Sequence, residues 1–375
     1  MSENLDTKSC GSVIKSVIEN GLIASVLSIA HELGILSQLM NSSVPLTSQQ
    51  IAGEAHLKER YVQEALSSLA CYDVIKVSRN TSGELAYHMT SAQTQALQGK
   101  DAFFLGTLGT QLSRYPAVKA CFHSEGPYGH STTCDSRRPL DALMMSRVDV
   151  AAALIADAEP ELREKLDSGI GVVEFGSGGG RLLAALARRF PKSTFTGSEY
   201  TTPGTDHLTS FLQSQSLGNT DSRQLDLLHL PDDDVTYDLV LVSLVIHCLA
   251  DPLAGLRGCH KVLRSGGLLV CIEVNCHSDI IQTINRDDVI QSTTSNDVVD
   301  SDIPTLSRHL TAVEYATSTF HCVPQAYQDA NSVVLGVCCG REKFSQLIKQ
   351  AGFSLVSIHP HGQEDIFVLY VCQKL

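Results

Sequence analysis

The 375-residue sequence predicts an α/β fold. It is read as a doubly wound, Rossmann-like sheet of seven strands with an antiparallel last strand, preceded by a mainly helical winged-helix domain. Three observations predict it. From Gly169 onward, apolar strand-like runs alternate with helix-like segments. The glycine-rich stretch "VEFGSGGGR", residues 173–181, stands between the first such run and an amphipathic "LLAALARRF". The last two runs, "SLVSIHP" and "EDIFVLYVCQKL", lie too close together for a parallel crossover, so they must pair antiparallel at the sheet edge.

The first 100 residues carry the helical domain. "LIASVLSIAHELGILSQL" has Leu22, Val26, Leu27, Ile29, Ala30 and Leu33 at helical spacing. In "LTSQQIAGEA", Thr47 is placed to cap a helix and Gln50 to complete a capping box. "KERYVQEALSSLACYDVI" is amphipathic, and "IKVSRN" and "ELAYHMT" flank a Thr-Ser-Gly turn. Three helices and a β-wing make a winged helix, a fold that often reads DNA. The charges argue otherwise. Between Leu46 and Thr90, Lys58, Arg60, Lys76 and Arg79 face Glu54, Glu59, Glu64, Asp73 and Glu84. A packing or dimerisation module is the expectation, because a DNA reader needs a basic face.

Residues 101–168 read as a helical connector broken by "SEGPYGHSTTCDSRRP". In residues 169–375 the strands are "IGVVEF", "STFTGSE", "SRQLDLL", "YDLVLVSLV" and "GLLVCIEV", followed by the two edge runs. Residues 278–328 interrupt the alternation and are read as a cover over an acceptor site.

Composition narrows the function classes. A hydrophobic fraction of 43% and a charged fraction of 18% suit a globular protein. A net charge of -13 disfavours general nucleic-acid binding. No unbroken apolar run reaches membrane-spanning length, and the polar "MSENLDTKSC" lacks a secretory pattern, so no membrane association is expected. The 12 cysteines form no CxxC pair, which suggests reduced thiols in a cytoplasmic protein.

The glycine turn carries the chemistry. A GxGxxG dinucleotide pattern counted from Gly176 requires glycine where Arg181 stands, and the GxxxxGK[ST] phosphate loop is absent. Glu174, two residues before Gly176, repels a pyrophosphate and suits a cation. Glu199 ends the second strand, where an acid accepts the hydroxyls of a ribose. Asp226 follows the third strand, where it is placed to accept from an adenine amino group. A cation, a ribose and an adenine without phosphate describe S-adenosylmethionine.

On "VVEFGSGGG", "GSEY", "LDLLHLP", "YDLVLVSLVIHCLADP" and "HKVLRSGGLLVCIEV", in that order, residues 169–267 resemble the core of a class I S-adenosylmethionine-dependent methyltransferase. The resemblance implies that Glu174 lies near the methionine amine and that Gly176, Ser177, Gly178 and Gly180 form the turn. It implies that Glu199 and Tyr200 bind the ribose side, that Asp226 and Leu227 flank the adenine, and that Ser243 lies at the ligand edge. With the winged helix, the layout is similar to small-molecule O-methyltransferases, in which the N-terminal domain serves a homodimer. "GPYGHS" and "STFHCVPQAY" are similar to segments of a bacterial and animal branch with this layout.

Methyl transfer to a hydroxyl benefits from a base. His247, just past the fourth strand, matches the position of the base in plant-type O-methyltransferases, and His321 is a second candidate. His277 is weaker. Tyr128 is a candidate for the acceptor pocket, and Glu273 is left outside the site as a loop cap. His359 and His361 lack an accompanying carboxylate or cysteine cluster, so no metal is expected. Transfer to nitrogen or carbon, or a non-catalytic regulator using the winged helix on DNA, are the alternatives.

Overall fold

In this computed structural model, residues 7–98, 103–130, 152, 155, 159–231, 236–285, 307–361 and 367–375 are described. The chain divides into two compact units, Met1–Ser113 and Arg114–Leu375.

The first unit runs α1 (Thr7–Glu32), α2 (Ile35–Asn41), β1 (Leu46–Thr47), α3 (Ser48–Glu54), α4 (Glu59–Cys71), β2 (Lys76–Arg79), β3 (Leu85–His88), α5 (Ser91–Gln98) and α6 (Phe103–Ser113). The capping box forms as its residues predict. Gln50 N–H donates to the Thr47 hydroxyl at 3.2 Å, and Thr47 N–H donates to the Gln50 side chain at 2.8 Å. On α4, Val62, Leu66 and Leu69 share the buried face required by helical periodicity. They meet Leu36, Leu39, Ile51 and Tyr87 in one core. The wing is a small antiparallel sheet in the order β1-β3-β2.

Two features depart from the sequence expectation. The first apolar stretch is not one helix, because Gly34 adopts φ 74° and separates α1 from α2. The connector expected at 101–168 begins with α6, which belongs to the first unit; Ser28 Oγ donates to Leu105 O at 2.7 Å. In addition, Cys10–Glu32 is long and apolar enough to cross a membrane by length and composition, although its apolar residues are interspersed rather than consecutive. Its outward stripe of Val13, Ile14, Val17, Ile18 and Leu22 is exposed.

The second unit runs α7 (Tyr115–Cys121), α8 (Pro160–Ser168), β4 (Gly171–Phe175), α9 (Arg181–Arg189), β5 (Thr194–Glu199), α10 (Thr202–Ser214), β6 (Thr220–Gln224) and β7 (Tyr237–Ser243). A 3₁₀ turn (Ile246–Cys248), α11 (Pro252–Val262) and β8 (Leu263–Val274) follow. Then come α12 (Ile280–Asn285), α13 (Arg308–Phe320), α14 (Cys322–Ala326), α15 (Arg341–Gln350), β9 (Phe353–His361) and β10 (Phe367–Lys374). The sheet order is β6-β5-β4-β7-β8-β10-β9, with β10 antiparallel to both neighbours. The central strands β4, β7 and β8 are nearly continuous apolar runs because helices cover both faces.

The order of strand addition reverses between the parallel neighbours β4 and β7, which opens a crevice at their carboxyl ends. Asp238 ties their opposite ends together. Its carboxylate accepts from Gly171 N–H at 2.8 Å and takes two bonds from Arg264 at 2.7 Å. In the expected cover, α12, α13 and α14 are described, whereas residues 286–306, with "STTSNDVVDSD", lie outside the described residues. The "GPYGHS" segment packs on α14: His130 N–H donates to Pro324 O at 3.0 Å, and the Tyr128 ring lies 5.2 Å from that of Tyr327.

Phe344 of α15 is fully buried against Tyr370 of β10, with ring centroids 4.9 Å apart. Phe344→Ala is expected to lower the stability of this unit by about 3–5 kcal/mol, read by equilibrium chemical denaturation. A change below about 1 kcal/mol would show that the α15–sheet packing is not as described.

Candidate active site

The site is built on the turn between β4 and α9. Gly176, Gly178 and Gly180 all have positive φ, at 69°, 54° and 70°. The turn folds back onto β5: Gly176 and Ser177 N–H groups both donate to Ser198 O, at 2.9 and 3.0 Å. Gly178 N–H donates to Glu199 Oε1 at 2.7 Å. A Cβ on Gly176 would lie 2.4 Å from Val245 Cγ2, so glycine is required by space as well as by backbone angle. Gly180 caps α9 and packs against Leu208, where a Cβ would lie 2.6 Å from Leu208 Cδ1.

A cavity of ≈ 170 Å³ lies above this turn. Its walls include Glu174, Gly176, Ser177, Gly178, Glu199, Tyr200 and Ser243, together with Val245, Cys248, Leu249, His321 and Gln325. Glu174 and Glu199 are each 3% exposed. Two buried wall atoms, Glu174 Oε2 and Ser243 Oγ, have no protein partner. Burial pushes the Glu174 carboxyl up to about 8; a Ser177 hydrogen bond opposes this, and the charge of Glu199 adds to it. Leu244, also on the wall, holds φ 56° while its N–H donates to Ile272 O at 2.9 Å. A bulky residue with this backbone is strained and occurs where the surrounding structure over-determines it.

His321 reaches the wall from the junction of α13 and α14. Arg114 Nη1 lies 3.1 Å from its Nδ1. A guanidinium only donates, so Nδ1 accepts and the ring proton resides on Nε2. His321 therefore carries a hydrogen-bond donor, not a free basic nitrogen, on its other side.

Beside the cavity lies a second buried group. His247 Nδ1 is 2.5 Å from Glu273 Oε2, and both side chains are almost fully buried. Burial works to lower the His247 imidazolium, yet Glu273 and Cys322 beside it hold it well above its ordinary range. Cys248 and Cys322 lie next to the same ring. A hydrogen bond from Cys248 holds the Cys322 thiol well below its usual range against burial, with His247 acting in the same direction. Half-buried Glu314 on α13 is pushed up to about 7, by burial first and by Cys322 second.

The residues expected from sequence are therefore only partly brought together. Glu174, Gly176, Ser177, Gly178, Glu199, Tyr200, Ser243 and His321 line the cavity, whereas Gly180, Asp226, Leu227, His247 and Tyr128 are not among its wall residues. Asp226 accepts from Leu228 N–H at 2.9 Å through Oδ1, and its Oδ2 lies 2.9 Å from His229 Nδ1. Its carboxylate is thus engaged in its own turn. Leu227 is core, and Tyr128 is exposed against Tyr327. Glu273, left out as a loop cap, is instead the partner of His247, because β8 places it inward beside the 3₁₀ turn. His359 bonds Ser357 on β9 at 2.8 Å, and the side chain of His361 lies outside the described residues. Residues missed from sequence include Leu244, Val245, Leu249 and Gln325 on the wall, and Arg114, Glu273 and the two cysteines around the histidines. The His-Cys dipeptide, which occurs at residues 247–248 and again at 321–322, was a usable signal.

Nitrogen-15 NMR of the imidazole rings is expected to show His321 as the neutral Nε2–H tautomer at pH 7. Arg114→Met is expected to release that preference. A wild-type His321 protonated on Nδ1 would contradict the geometry.

Comparison with known proteins agrees with this construction. A model described as "Methyltransferase domain" matches residues 173–269, and one described as "Rv2258c-like winged HTH domain" matches residues 21–98. A ubiquinone biosynthesis O-methyltransferase of Cereibacter sphaeroides is 29% identical over 140 residues, 37% of this chain and 56% of that protein. A demethylmenaquinone methyltransferase of Staphylococcus epidermidis is 31% identical over 88 residues, 22% of this chain and 36% of that protein. The chain thus spans about half or less of the curated relatives it matches. Similar solved structures include the mitomycin 7-O-methyltransferase MmcR, at TM-score 0.66 and 16% identity, covering 98% of each chain. Human N-acetylserotonin methyltransferase in complex with SAM aligns at TM-score 0.62 and 14% identity, covering 100% of this chain and 99% of that one. At these identities the likeness concerns the fold. Residues 21–98 thus match an Rv2258c-like winged helix-turn-helix domain, residues 173–269 match a methyltransferase domain, and the chain shares the fold of these methyltransferase structures.

Proposed function

We propose that the protein is an S-adenosylmethionine-dependent methyltransferase that acts on a small-molecule acceptor, at a hydroxyl oxygen. The observation that carries this reading is the buried pair Glu174 and Glu199 at the glycine turn, with Glu174 Oε2 lacking a protein partner. Two buried acids in one small cavity call for a cation, and the unpartnered oxygen suits the methionine ammonium. Glu199, already fixed by Gly178 N–H, suits ribose hydroxyls, and Ser243 Oγ offers one further polar contact. Asp226 stays the candidate for the adenine amino group: its turn takes one bond on each carboxylate oxygen and leaves further lone pairs.

The bound donor supplies a sulfonium-activated methyl group. The residues of the chain then have to hold the acceptor in line and receive its proton. His321 suits the first task through Nε2–H. His247 is the candidate for the second: Glu273 orients its ring through Nδ1, and the ring can take that proton only after the imidazolium that Glu273 and Cys322 favour has lost its own. Oxygen is preferred over nitrogen or carbon because several similar proteins are named as O-methyltransferases. In this reading residues 169–375 hold the donor and residues 278–328 cover the acceptor. The free cysteines among the described residues suit a cytosolic setting.

Calorimetric titration with S-adenosylhomocysteine tests the donor site. A cationic ligand favours ionised Glu174, whose carboxyl lies at about 8 in the free protein. Affinity is therefore expected to rise from pH 6 to pH 8 and then level off, with proton release at pH 7. Glu174→Gln should abolish this pH dependence, and Glu199→Ala should weaken binding about 10- to 100-fold. Tight binding of NAD with no binding of S-adenosylhomocysteine would sink the methyltransferase reading. Transfer of label from methyl-labelled S-adenosylmethionine to a panel of phenols and alcohols tests the reaction itself.

We also propose a homodimer formed through the first unit rather than a DNA-binding role. The exposed stripe on α1 and exposed Tyr61 on α4 give an apolar face, while the chain as a whole is acidic. Sedimentation is expected to show a dimer, and Val17→Asp with Ile18→Asp a monomer. A monomeric wild type at micromolar concentration would refute the dimer, and sequence-selective DNA binding would overturn the preference.

A further inference from the structure

We infer that His247, Cys248 and Cys322 form a binding site for one zinc-class divalent metal ion beside the donor cavity. One ligand atom from each of these side chains lies within 4.8 Å of the others. All three residues are buried, at 2%, 8% and 3% exposure. A tetrahedral zinc, with Zn–S bonds of about 2.3 Å, spaces its sulfurs about 3.8 Å apart. Modest side-chain rotation therefore closes the set. Two thiolates and an imidazole are the donors that zinc prefers over magnesium or calcium.

Three independent features support the assignment. The first is the partner of the histidine. A ligating imidazole characteristically donates its other N–H to a carboxylate, which fixes the tautomer and aims the free nitrogen at the metal. Glu273 takes that place on His247 Nδ1 at 2.5 Å, leaving Nε2 as the ligand. The second is charge. Two thiolates, a neutral imidazole and a divalent ion sum to zero, so the ligated set is cheaper to bury than any separate thiolate. The third is placement. Cys248 and His247 come from the 3₁₀ turn after β7, whereas Cys322 begins α14, so the ion would tie the end of the sheet to the expected acceptor cover.

Three protein ligands leave a fourth position, as in catalytic rather than structural zinc sites. Cys248 also belongs to the cavity wall, so an ion bound to it would lie one side chain from the donor. If the protein is the methyltransferase proposed above, His247 would then be a ligand instead of a base. The metal would acidify the acceptor O–H, whose proton would pass to water.

The test uses the full chain, kept reduced and purified without chelator or an immobilised-metal column. Elemental mass spectrometry is expected to find about one zinc per chain after zinc incubation and dialysis. Zinc-edge X-ray absorption of the wild type should show two sulfur ligands and at least one imidazole nitrogen. Cobalt substitution should produce sulfur-to-cobalt charge-transfer absorption. Cys248→Ser and Cys322→Ser should each remove that absorption, Glu273→Gln should weaken zinc binding about 10- to 100-fold, and Cys71→Ser, at an exposed position, should change nothing. Folded, reduced wild-type protein that retains no zinc and gives no cobalt–sulfur absorption overturns the site. So does a Cys248–Cys322 disulfide, in peptide maps of the protein as isolated, that persists in place of metal. The wild-type measurements do not depend on any variant folding. S-adenosylhomocysteine binding that survives in zinc-free protein would separate failure of the metal site from failure of the methyltransferase reading.

Discussion

The architecture of the site depends on burying two carboxylates side by side at the carboxyl ends of adjacent parallel strands. Glu174 and Glu199 are both almost inaccessible to solvent. Neither position is tolerable without compensation, since a desolvated anion next to another anion holds a proton or finds a donor. Glu199 is compensated by the Gly178 amide, which forces the turn into left-handed backbone open only to glycine at low cost. Glu174 is less well compensated, and its raised affinity for a proton measures that deficit. The glycines, the return of the turn onto Ser198 and the close approach of Val245 are all consequences of this arrangement.

A second buried centre shares Cys248 with this cavity. His247 and Glu273 are brought together because the 3₁₀ turn after β7 and the end of β8 run in adjacent strands. The cysteines complete the centre, one from the turn and one from α14. Cys248 belongs to both centres. A change in the state of that thiol therefore reaches both the cavity wall and the His247 group.

Much of this was legible beforehand for identifiable reasons. Alternation of apolar runs gave the sheet, and the short gap before the last run required antiparallel pairing of β9 and β10. Thr47 and Gln50 announced a capping box that formed as expected. Those signals are local: they depend on periodicity, on turn chemistry and on reach along the chain. The position of Glu174 and Glu199 on the cavity wall was also legible, because both lie at strand ends beside a reversal of sheet order. Asp226 was less legible. A carboxylate at that point can serve a turn, a ligand or both, and the turn bond it makes is visible only in the coordinates.

What the sequence by itself determined is the order of elements, the glycine turn and the pair of acids that give the cavity its sign. All of these follow from spacing within about twenty-five residues. Only the tertiary structure decided which histidine faces the cavity and what each one touches. Arg114 and His321, Glu273 and His247, and Cys248 and Cys322 are distant in sequence and meet because the sheet and the helices after β8 bring them together. The physical reason is that a side chain's protonation and hydrogen-bonding role is set by its neighbours in space, and residue type alone leaves a histidine free to be base, donor or ligand.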